Sequence, residues 1–206
     1  MYDVLAGLAL GYFIGSFPSA VVVARLSGRN IFEVGSGNMG AMNTARNIGW
    51  LQGVAVLVLD IAKGAGAVLA AQALAGASGS PVALQLMPLA AGVGAVLGHG
   101  WSVFTGLRGG KALATAFGVT LPLFPLVGIY GLLILVGLVL LLRRVTLSAI
   151  LAVASLPFIT LLLLEQAGAD RDYVFAAVTA LLLMALLIIY RHVRPAHWKR
   201  SKRSEA

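Results

Sequence analysis

The sequence contains no cysteine, few acidic residues and little charge of any kind. Without cysteine the chain has neither disulfides nor thiolate chemistry. Its seven Asp and Glu residues are scattered, so we expect no carboxylate metal site and no cofactor. A Gly-x-Ser-x-Gly elbow, a His-Glu-x-x-His pair and a His-x-x-x-x-Asp pair are also absent. Any catalysis must therefore depend on positioning and charge stabilisation.

The hydrophobic content is far above that of a soluble domain. Hydrophobic residues make up 60% of the chain, charged residues only 11%, and the mean hydropathy is +0.96. The net charge of +8 lies between and after the apolar runs, where cations set topology and meet anionic headgroups. This pattern predicts an all-α polytopic membrane protein with membrane lipids as partners and no nucleic acid. It does not predict an oligomeric state.

Apolar runs of spanning length recur along the chain. A further stretch, at 112–142, is long for one helix and is broken by Pro122, Pro125, Gly128 and Gly131, which favours two short spans. The uninterrupted runs are 4–26, 51–74, 82–97, 147–164 and 173–190.

The distribution of charge predicts the topology. With two spans in 112–142, Arg171 is the only basic residue in an external loop, as the positive-inside rule expects. We therefore expect about seven helices, with the N-terminus outside and the C-terminus inside. Residues 1–190 would form a single bundle with cytoplasmic loops at 27–50 (the first loop) and 98–112 (the second loop), followed by a basic cytoplasmic tail at 191–206.

The first loop contains a glycine-rich polar motif, G-S-G-N-M-G-A-M-N-x-x-R. Its glycines permit a close backbone approach to an anion, its short polar side chains can donate hydrogen bonds, and its arginine offers a guanidinium fork. A flexible turn between two spans is the alternative. The candidate binding residues here are Gly35, Ser36, Gly37, Asn38, Gly40, Asn43 and Arg46.

The second loop repeats this chemistry with more cations. Arg108 and Lys111 flank Gly109 and Gly110, an arrangement typical of an anion site. It is not a nucleotide P-loop, because Thr105 occupies the position of the required glycine. Topological cations beside a hinge are the alternative interpretation.

Ionisable residues within the apolar runs have two interpretations. Asp60 and Lys63, three residues apart on one helical face, either line a site or form a structural ion pair. His99 is expected to be a hydrogen-bonded structural residue. His192 closes the last run, where it either contacts a phosphate or lies at the membrane interface.

Taken in order, the motifs resemble one known family. They are G-S-F-P-S-A (15–20), G-S-G-N-x-G-A-x-N-x-x-R (35–46), L-D-I-x-K-G (59–64), L-G-H-x-W-x-V-F-x-G-x-R-G-G-K (97–111), A-T-A-F-G (114–118) and R-H (191–192). Together they resemble the bacterial acyl-phosphate:glycerol-3-phosphate acyltransferases of the PlsY family, over nearly the whole chain.

The resemblance implies a seven-helix enzyme of the bacterial inner membrane, with its active site facing the cytoplasm. The implied reaction moves a fatty acyl group from acyl phosphate to the 1-hydroxyl of glycerol 3-phosphate, giving lysophosphatidic acid and phosphate. It implies catalytic roles for four residues and a substrate contact for Thr146, which stands where the family usually has serine. The four are Ser36, Arg46, Lys111 and His192.

Some positions depart from the family pattern. Met42 replaces a threonine, Ser102 a proline and Ala112 a glycine, while Pro195 replaces an asparagine four residues after the arginine of the Arg-His pair. Two other functions therefore remain open at the level of sequence. One is a membrane transporter of a phosphate ester or lipid, and the other is a non-catalytic paralogue that binds anionic lipid.

Overall fold

The computed structural model describes residues 2–194, which fold into a helical bundle. The predicted all-α membrane architecture is confirmed, and α9 continues past the expected start of the tail. Pro195 and the rest of the tail lie outside the described residues. The helices are α1 (Tyr2–Gly15), α2 (Ser19–Leu26), α3 (Ala41–Asn47), α4 (Trp50–Ser78), α5 (Pro81–Gly100), α6 (Leu113–Leu123), α7 (Pro125–Leu142), α8 (Val145–Gln166) and α9 (Arg171–Val193).

Six segments of the described chain are long and apolar enough to cross a membrane. They are α1 and α2 taken together, α4, α5, α7, α8 and α9. The region 112–142 is divided in two as expected, with the break at Phe124 just before Pro125. However, the 11 residues of α6 extend only about 16 Å, too short to cross alone. The seven crossings and the orientation of the termini therefore stay predictions.

Small residues allow α1 and α5 to pack closely. Gly7, Gly11 and Gly15 recur every four residues along one face of α1 and are buried. A Cβ atom at any of them would collide with a backbone carbonyl of α5. Because lipid provides no hydrophobic drive for helix association, this close van der Waals contact is what holds α1 against α5.

A helix break after α1 releases backbone groups inside the bundle. Pro18 has no N–H to continue the helical hydrogen bonds, so α1 ends at Gly15 and α2 begins at Ser19. The carbonyl of Phe17, which accepts a hydrogen bond from Ser19 N–H, accepts a second one from Lys63 Nζ at 3.0 Å. The carbonyl of Ser16 accepts one from Ser102 Oγ at 2.5 Å. The break thus joins the first span to α4 and to the second loop.

Short connections gather the polar loops at one end of the bundle. The helix pairs α4–α5, α7–α8 and α8–α9 pack together across connections of a few residues, so each pair is antiparallel. One end of the bundle consequently contains six helix termini. They are the start of α4, the end of α5, the start of α6, the end of α7, the start of α8 and the end of α9. We call this end of the bundle the loop end, and nearly all the candidate residues lie there.

Candidate active site

The first loop is organised by one of its own side chains. Asn43 Oδ1 accepts a hydrogen bond from Ser36 N–H at 3.0 Å. Its Nδ2 donates to the carbonyls of Val34 at 3.2 Å and Asn38 at 3.1 Å. Asn43 is buried, with only 6% of its surface exposed, and its side-chain amide forms hydrogen bonds with the loop backbone rather than facing a ligand. The sequence identified the residue as a substrate contact and gave no indication of this scaffolding.

Around Asn43 the backbone forms a tight turn that only glycine adopts easily. Gly35 has φ of 52° and Gly37 has φ of 66°, both in the left-handed region. A Cβ at Gly35 would also collide with the Asn43 carboxamide oxygen. Both glycines are therefore required for the shape of the loop.

The remaining polar groups of the first loop face outward. Ser36 is exposed, and its Oγ accepts a hydrogen bond from Asn38 N–H at 3.3 Å, leaving its own proton to donate. Asn38 is half-buried, and Gly40 precedes the first residue of α3. Arg46, in the last turn of α3, is exposed and forms no hydrogen bond or ion pair within residues 2–194. These groups are free to meet an anion.

The second loop is a compact turn tied across its base. Ser102 and Arg108 pair as an isolated β-bridge. Inside the turn, Thr105 Oγ1 lies 3.2 Å from the Ser102 carbonyl and 2.5 Å from the Arg108 carbonyl. Ala112, just before α6, has φ of 59°, a left-handed conformation that an alanine rarely adopts. A glycine, which the resemblance leads us to expect at this position, would adopt this conformation without strain.

The two loops touch at Gly110. A Cβ at this glycine would collide with His99 Nε2 and lie 2.6 Å from the Met39 carbonyl oxygen. The Arg108 guanidinium lies over the Phe32 ring at 5.5 Å, which adds a second contact between the loops. Gly110 is therefore the point at which the first loop, the second loop and α5 converge.

A buried polar network of α4, α5 and α6 residues lies next to the second loop. Asp60 and Lys63 form an ion pair at 2.8 Å, with side chains 4% and 6% exposed. His99 Nδ1 lies 3.0 Å from Thr115 Oγ1 and 3.5 Å from Asp60 Oδ1. Because Lys63 is directed to the Phe17 carbonyl, the pair ties α4 to the broken first span. Of the two interpretations open from the sequence, the structural ion pair is the one observed.

The end of α9 brings two further groups to the second loop. Arg191 donates from Nε to the Gly110 carbonyl at 3.0 Å and from Nη2 to the Gly109 carbonyl at 2.6 Å. His192 Nδ1 lies 2.8 Å from the Ile188 carbonyl. Since a carbonyl can only accept, Nδ1 carries the proton and the Nε2 lone pair of the neutral ring is available to a ligand.

Lys111 and Arg191 form a cationic group beside His192. Lys111 is half-buried and forms no hydrogen bond or ion pair with any residue from 2 to 194. Burial, and then the charge of nearby Arg191, lower the pKa of the Lys111 ammonium. His192 lies within electrostatic range of the same ammonium. A half-buried cation beside a second cation, with no carboxylate partner, is a suitable site for an anion.

An apolar cleft opens beside this cationic group. It runs between α6, α7 and α8, and its first lining residue, Leu113, comes two positions after Lys111. The other lining residues are Ala116, Phe117, Thr120, Gly128, Gly131, Leu132, Leu135, Ala152, Val153 and Leu156. The cationic group and the apolar cleft are thus close together along the chain, at the start of α6.

Not all the candidate residues are joined by direct contacts. Arg191 lies close to four of the candidate residues, namely Gly109, Gly110, Lys111 and His192. The first loop approaches this group at Met39, whose carbonyl lies next to Gly110. Thr146, an exposed residue in the first turn of α8, lies at the loop end by topology. Within residues 2–194 no hydrogen bond or ion pair joins Thr146 or Arg46 to the group around Arg191.

Sequence reasoning missed Arg191 as a member of the site. An arginine in the last turn of an apolar helix usually marks a membrane boundary, so its residue type carried no further signal. Thr115 was missed as well, although it falls inside the A-T-A-F-G motif. Arg191 contacts the second loop from 81 residues further along the chain, and Thr115 contacts His99 from 16 residues away.

Comparison with known proteins assigns this arrangement to a family. The family model for glycerol-3-phosphate acyltransferase matches residues 5–197. The glycerol-3-phosphate acyltransferase of Geobacter sulfurreducens is 36% identical over 192 residues, which cover 93% of this chain and 91% of the relative. Glycerol-3-phosphate acyltransferase 2 of Moorella thermoacetica is 41% identical over 158 residues, 76% of this chain and 77% of the relative. The chain belongs to the glycerol-3-phosphate acyltransferase family.

Solved structures of the family share the fold. The glycerol 3-phosphate form of PlsY (YgiH), an integral membrane glycerol 3-phosphate acyltransferase, has a TM-score of 0.74 and 35% identity, covering 92% of this chain and 88% of that one. Its lysophosphatidic acid form has a TM-score of 0.73. The resemblance drawn from the motifs is confirmed. As a member of the glycerol-3-phosphate acyltransferase family, the chain is a multi-span membrane enzyme of phospholipid synthesis rather than a transporter.

Proposed function

We propose that this acyltransferase uses acyl phosphate as its donor and forms lysophosphatidic acid from the 1-hydroxyl of glycerol 3-phosphate. The observation that carries the proposal is Lys111, which is half-buried, unpaired within residues 2–194 and two positions before Leu113 of the apolar cleft. A donor that combines a phosphate with a fatty chain has the chemistry to occupy both parts at once. The glycerol 3-phosphate and lysophosphatidic acid forms of the neighbouring PlsY structures support the same reaction class.

The residues divide between the two phosphates. Lys111 and the Gly109–Gly110 backbone would hold the phosphate of the donor, while its acyl chain lies along the cleft from Leu113. Exposed Arg46 and the polar groups of Ser36 and Asn38 would hold glycerol 3-phosphate. The shape of this glycerol 3-phosphate site would depend on the first-loop residues Gly35, Gly37, Gly40 and Asn43. Arg108 would add positive charge, and Thr146 would contribute a hydroxyl group at the edge of the site.

In the proposed reaction the 1-hydroxyl oxygen attacks the carbonyl carbon of acyl phosphate. The new carbon–oxygen ester bond forms as the bond from that carbon to the phosphate oxygen breaks. His192 Nε2 accepts a hydrogen bond from the attacking hydroxyl and orients it, and the proton leaves with the phosphate as hydrogen phosphate. Because phosphate in a mixed anhydride is a good leaving group, Lys111 has only to stabilise charge on it. No covalent enzyme intermediate and no metal is invoked.

The location follows from the same argument. Glycerol 3-phosphate is charged and water-soluble, so the loop end must face the compartment that contains it. We therefore place the loop end, with both loops, at the cytoplasmic face of the bacterial inner membrane. The basic residues of the loops, which the positive-inside rule assigns to the cytoplasm, support this orientation.

Donor competition tests the proposal. Purified protein in detergent is supplied with labelled glycerol 3-phosphate and either palmitoyl phosphate or palmitoyl-coenzyme A. We expect lysophosphatidic acid from palmitoyl phosphate alone, and its loss in Lys111→Ala. Product from the coenzyme A ester at an equal rate would refute the assignment of the donor phosphate to Lys111. No product from either donor would favour the non-catalytic paralogue.

A further inference from the structure

We propose that Arg191 is a positioning residue that fixes the direction of Lys111 by holding the Gly109–Gly110 backbone. The inference rests on the proposed anion-binding role of Lys111. It assigns Arg191 a task in the reaction that does not require contact with either substrate.

Arg191 forms two hydrogen bonds with the Gly109–Gly110 backbone, an arrangement that we call the clamp. Its Nε and Nη2 donate to two successive carbonyls, those of Gly110 at 3.0 Å and Gly109 at 2.6 Å. A planar guanidinium presents these donors at a fixed spacing, so it restrains the orientation of both peptide groups. A lysine ammonium, which is a point charge on a flexible stem, would restrain neither orientation to the same degree.

The opposite side of this backbone is held as well. Gly110 N–H donates to the His99 carbonyl at 3.0 Å, and the His99 ring leaves no room for a Cβ at Gly110. Two residues further on, Ala112 adopts a left-handed conformation before α6 begins. The backbone is therefore restrained on both sides of Lys111. Arg191 supplies the hydrogen bonds that come from α9.

Arg191 is itself supported at the membrane boundary. Its guanidinium lies over the Trp101 ring at 5.2 Å. The Trp101 carbonyl accepts a hydrogen bond from the Tyr12 hydroxyl at 2.9 Å, which connects the clamp to α1. Within residues 2–194 no carboxylate pairs with Arg191. Its guanidinium is therefore directed to the Gly109 and Gly110 carbonyls rather than to an acidic side chain.

A double-mutant cycle tests whether Arg191 acts through Lys111. We would purify Arg191→Lys, Arg191→Gln, Lys111→Ala and the double variant Lys111→Ala/Arg191→Gln. For each we would measure kcat and KM for palmitoyl phosphate and for glycerol 3-phosphate, with the melting temperature alongside. The matched control is Arg194→Ala, which removes an exposed arginine one turn later that lies over Tyr190 at 5.5 Å.

If Arg191 acts by positioning Lys111, the losses of kcat/KM in the single variants should not multiply in the double variant. Arg191→Lys and Arg191→Gln should each reduce kcat/KM by about tenfold or more, since hydrogen bonds from a charged group are lost. Each should alter the same kinetic parameter as Lys111→Ala does. The double variant should fall within about threefold of Lys111→Ala alone. Arg194→Ala should stay within about twofold of the unmodified enzyme.

Four results would overturn the proposal. Multiplying losses would show that Arg191 acts independently of Lys111. Normal kcat/KM in Arg191→Lys would show that the fork geometry is dispensable. A lower melting temperature with normal kcat/KM in the folded fraction would show a purely structural role. Normal turnover in Lys111→Ala would refute the role of Lys111 itself, and with it the purpose of the clamp.

Discussion

The first and second loops have similar composition but are held in place by different means. The first loop is organised from within, by Asn43, which bonds to backbone groups within nine residues of itself. The second loop is held by helices: by His99, where the loop overlaps the end of α5, and by Arg191 of α9, 81 residues beyond Gly110. A locally organised loop can keep its shape when the helices shift, whereas the second loop must move with α5 and α9. We infer that helix packing sets the position of Lys111 but has less influence on Ser36.

The largest effect is expected for Lys111 and Arg46, the candidate-site cations that have no hydrogen bond or ion pair within residues 2–194. Lys111→Ala and Arg46→Ala should each lower kcat/KM by at least about a hundredfold, because each removes a charged contact of about 3 kcal/mol. The two losses are measured by initial rates of lysophosphatidic acid formation. Near-normal turnover in both variants would refute the proposed roles of the two loops.

Gly110 is the next most sensitive position, since it lies where the loops meet. Gly110→Ala places a methyl group against the His99 ring and 2.6 Å from the Met39 carbonyl, so the second loop must shift. We expect kcat/KM to fall about tenfold to a hundredfold, as for other misplaced catalytic groups. The control is Gly106→Asn, where nothing lies within 4 Å and where asparagine tolerates the φ of 63°. Equal losses in both variants would show that loop flexibility, not the contact, matters.

Removing the internal support of the first loop should have an intermediate effect. Asn43→Ala leaves one backbone N–H and two carbonyls without their partner. We expect KM for glycerol 3-phosphate to rise about tenfold, corresponding to one or two lost hydrogen bonds. KM for palmitoyl phosphate should change much less, because the second loop is held separately. A comparable rise in both KM values would contradict the division of labour between the loops.

The pH dependence distinguishes Lys111 from an ordinary surface lysine. Burial and the Arg191 charge lower the pKa of Lys111, and the proposed role requires its protonated form. Activity should therefore decline as pH rises through this lowered pKa, at a lower pH than an ordinary lysine would give. Lys111→Arg, which stays protonated, should move the alkaline limb of the kcat/KM profile upward. An unchanged limb in this variant would assign the titration to another group.

The smallest expected effect concerns the strained residue that ends the second loop. Ala112 has φ of 59°, so Ala112→Gly should raise the free energy of unfolding by up to about 1 kcal/mol. The matched control, Ala114→Gly, lies within α6 and should lower it by about 1 kcal/mol. A thermal shift assay in detergent measures both. Destabilisation in both variants would show that the left-handed conformation costs nothing here.

The sequence predicted the features that depend on residues close together along the chain. The glycine loops, the pairing of Asp60 with Lys63 and the break within 112–142 follow from local composition and helical spacing. The contacts of Arg191 and the bond from Lys63 to Phe17 could not be predicted in the same way. They depend on how helices distant in sequence pack, which residue type and spacing do not specify.

The role of Asn43 illustrates a different limit. An asparagine in a glycine-rich loop can bind a phosphate or bond to its own backbone, and the two uses have the same sequence signature. Only its burial and the direction of its amide, seen in the structure, separate them. Residue type predicts the candidate site, whereas side-chain direction indicates which of its residues are free to contact a ligand.

The most direct test of acyl transfer is the stoichiometry of the reaction, followed by phosphorus NMR on purified protein in detergent with palmitoyl phosphate. With glycerol 3-phosphate present, we expect one phosphate to be released for each lysophosphatidic acid formed, and neither to appear without the acceptor. Phosphate release at the same rate without glycerol 3-phosphate would contradict this expectation. That result would mean that the loops hold the donor for hydrolysis rather than for acyl transfer.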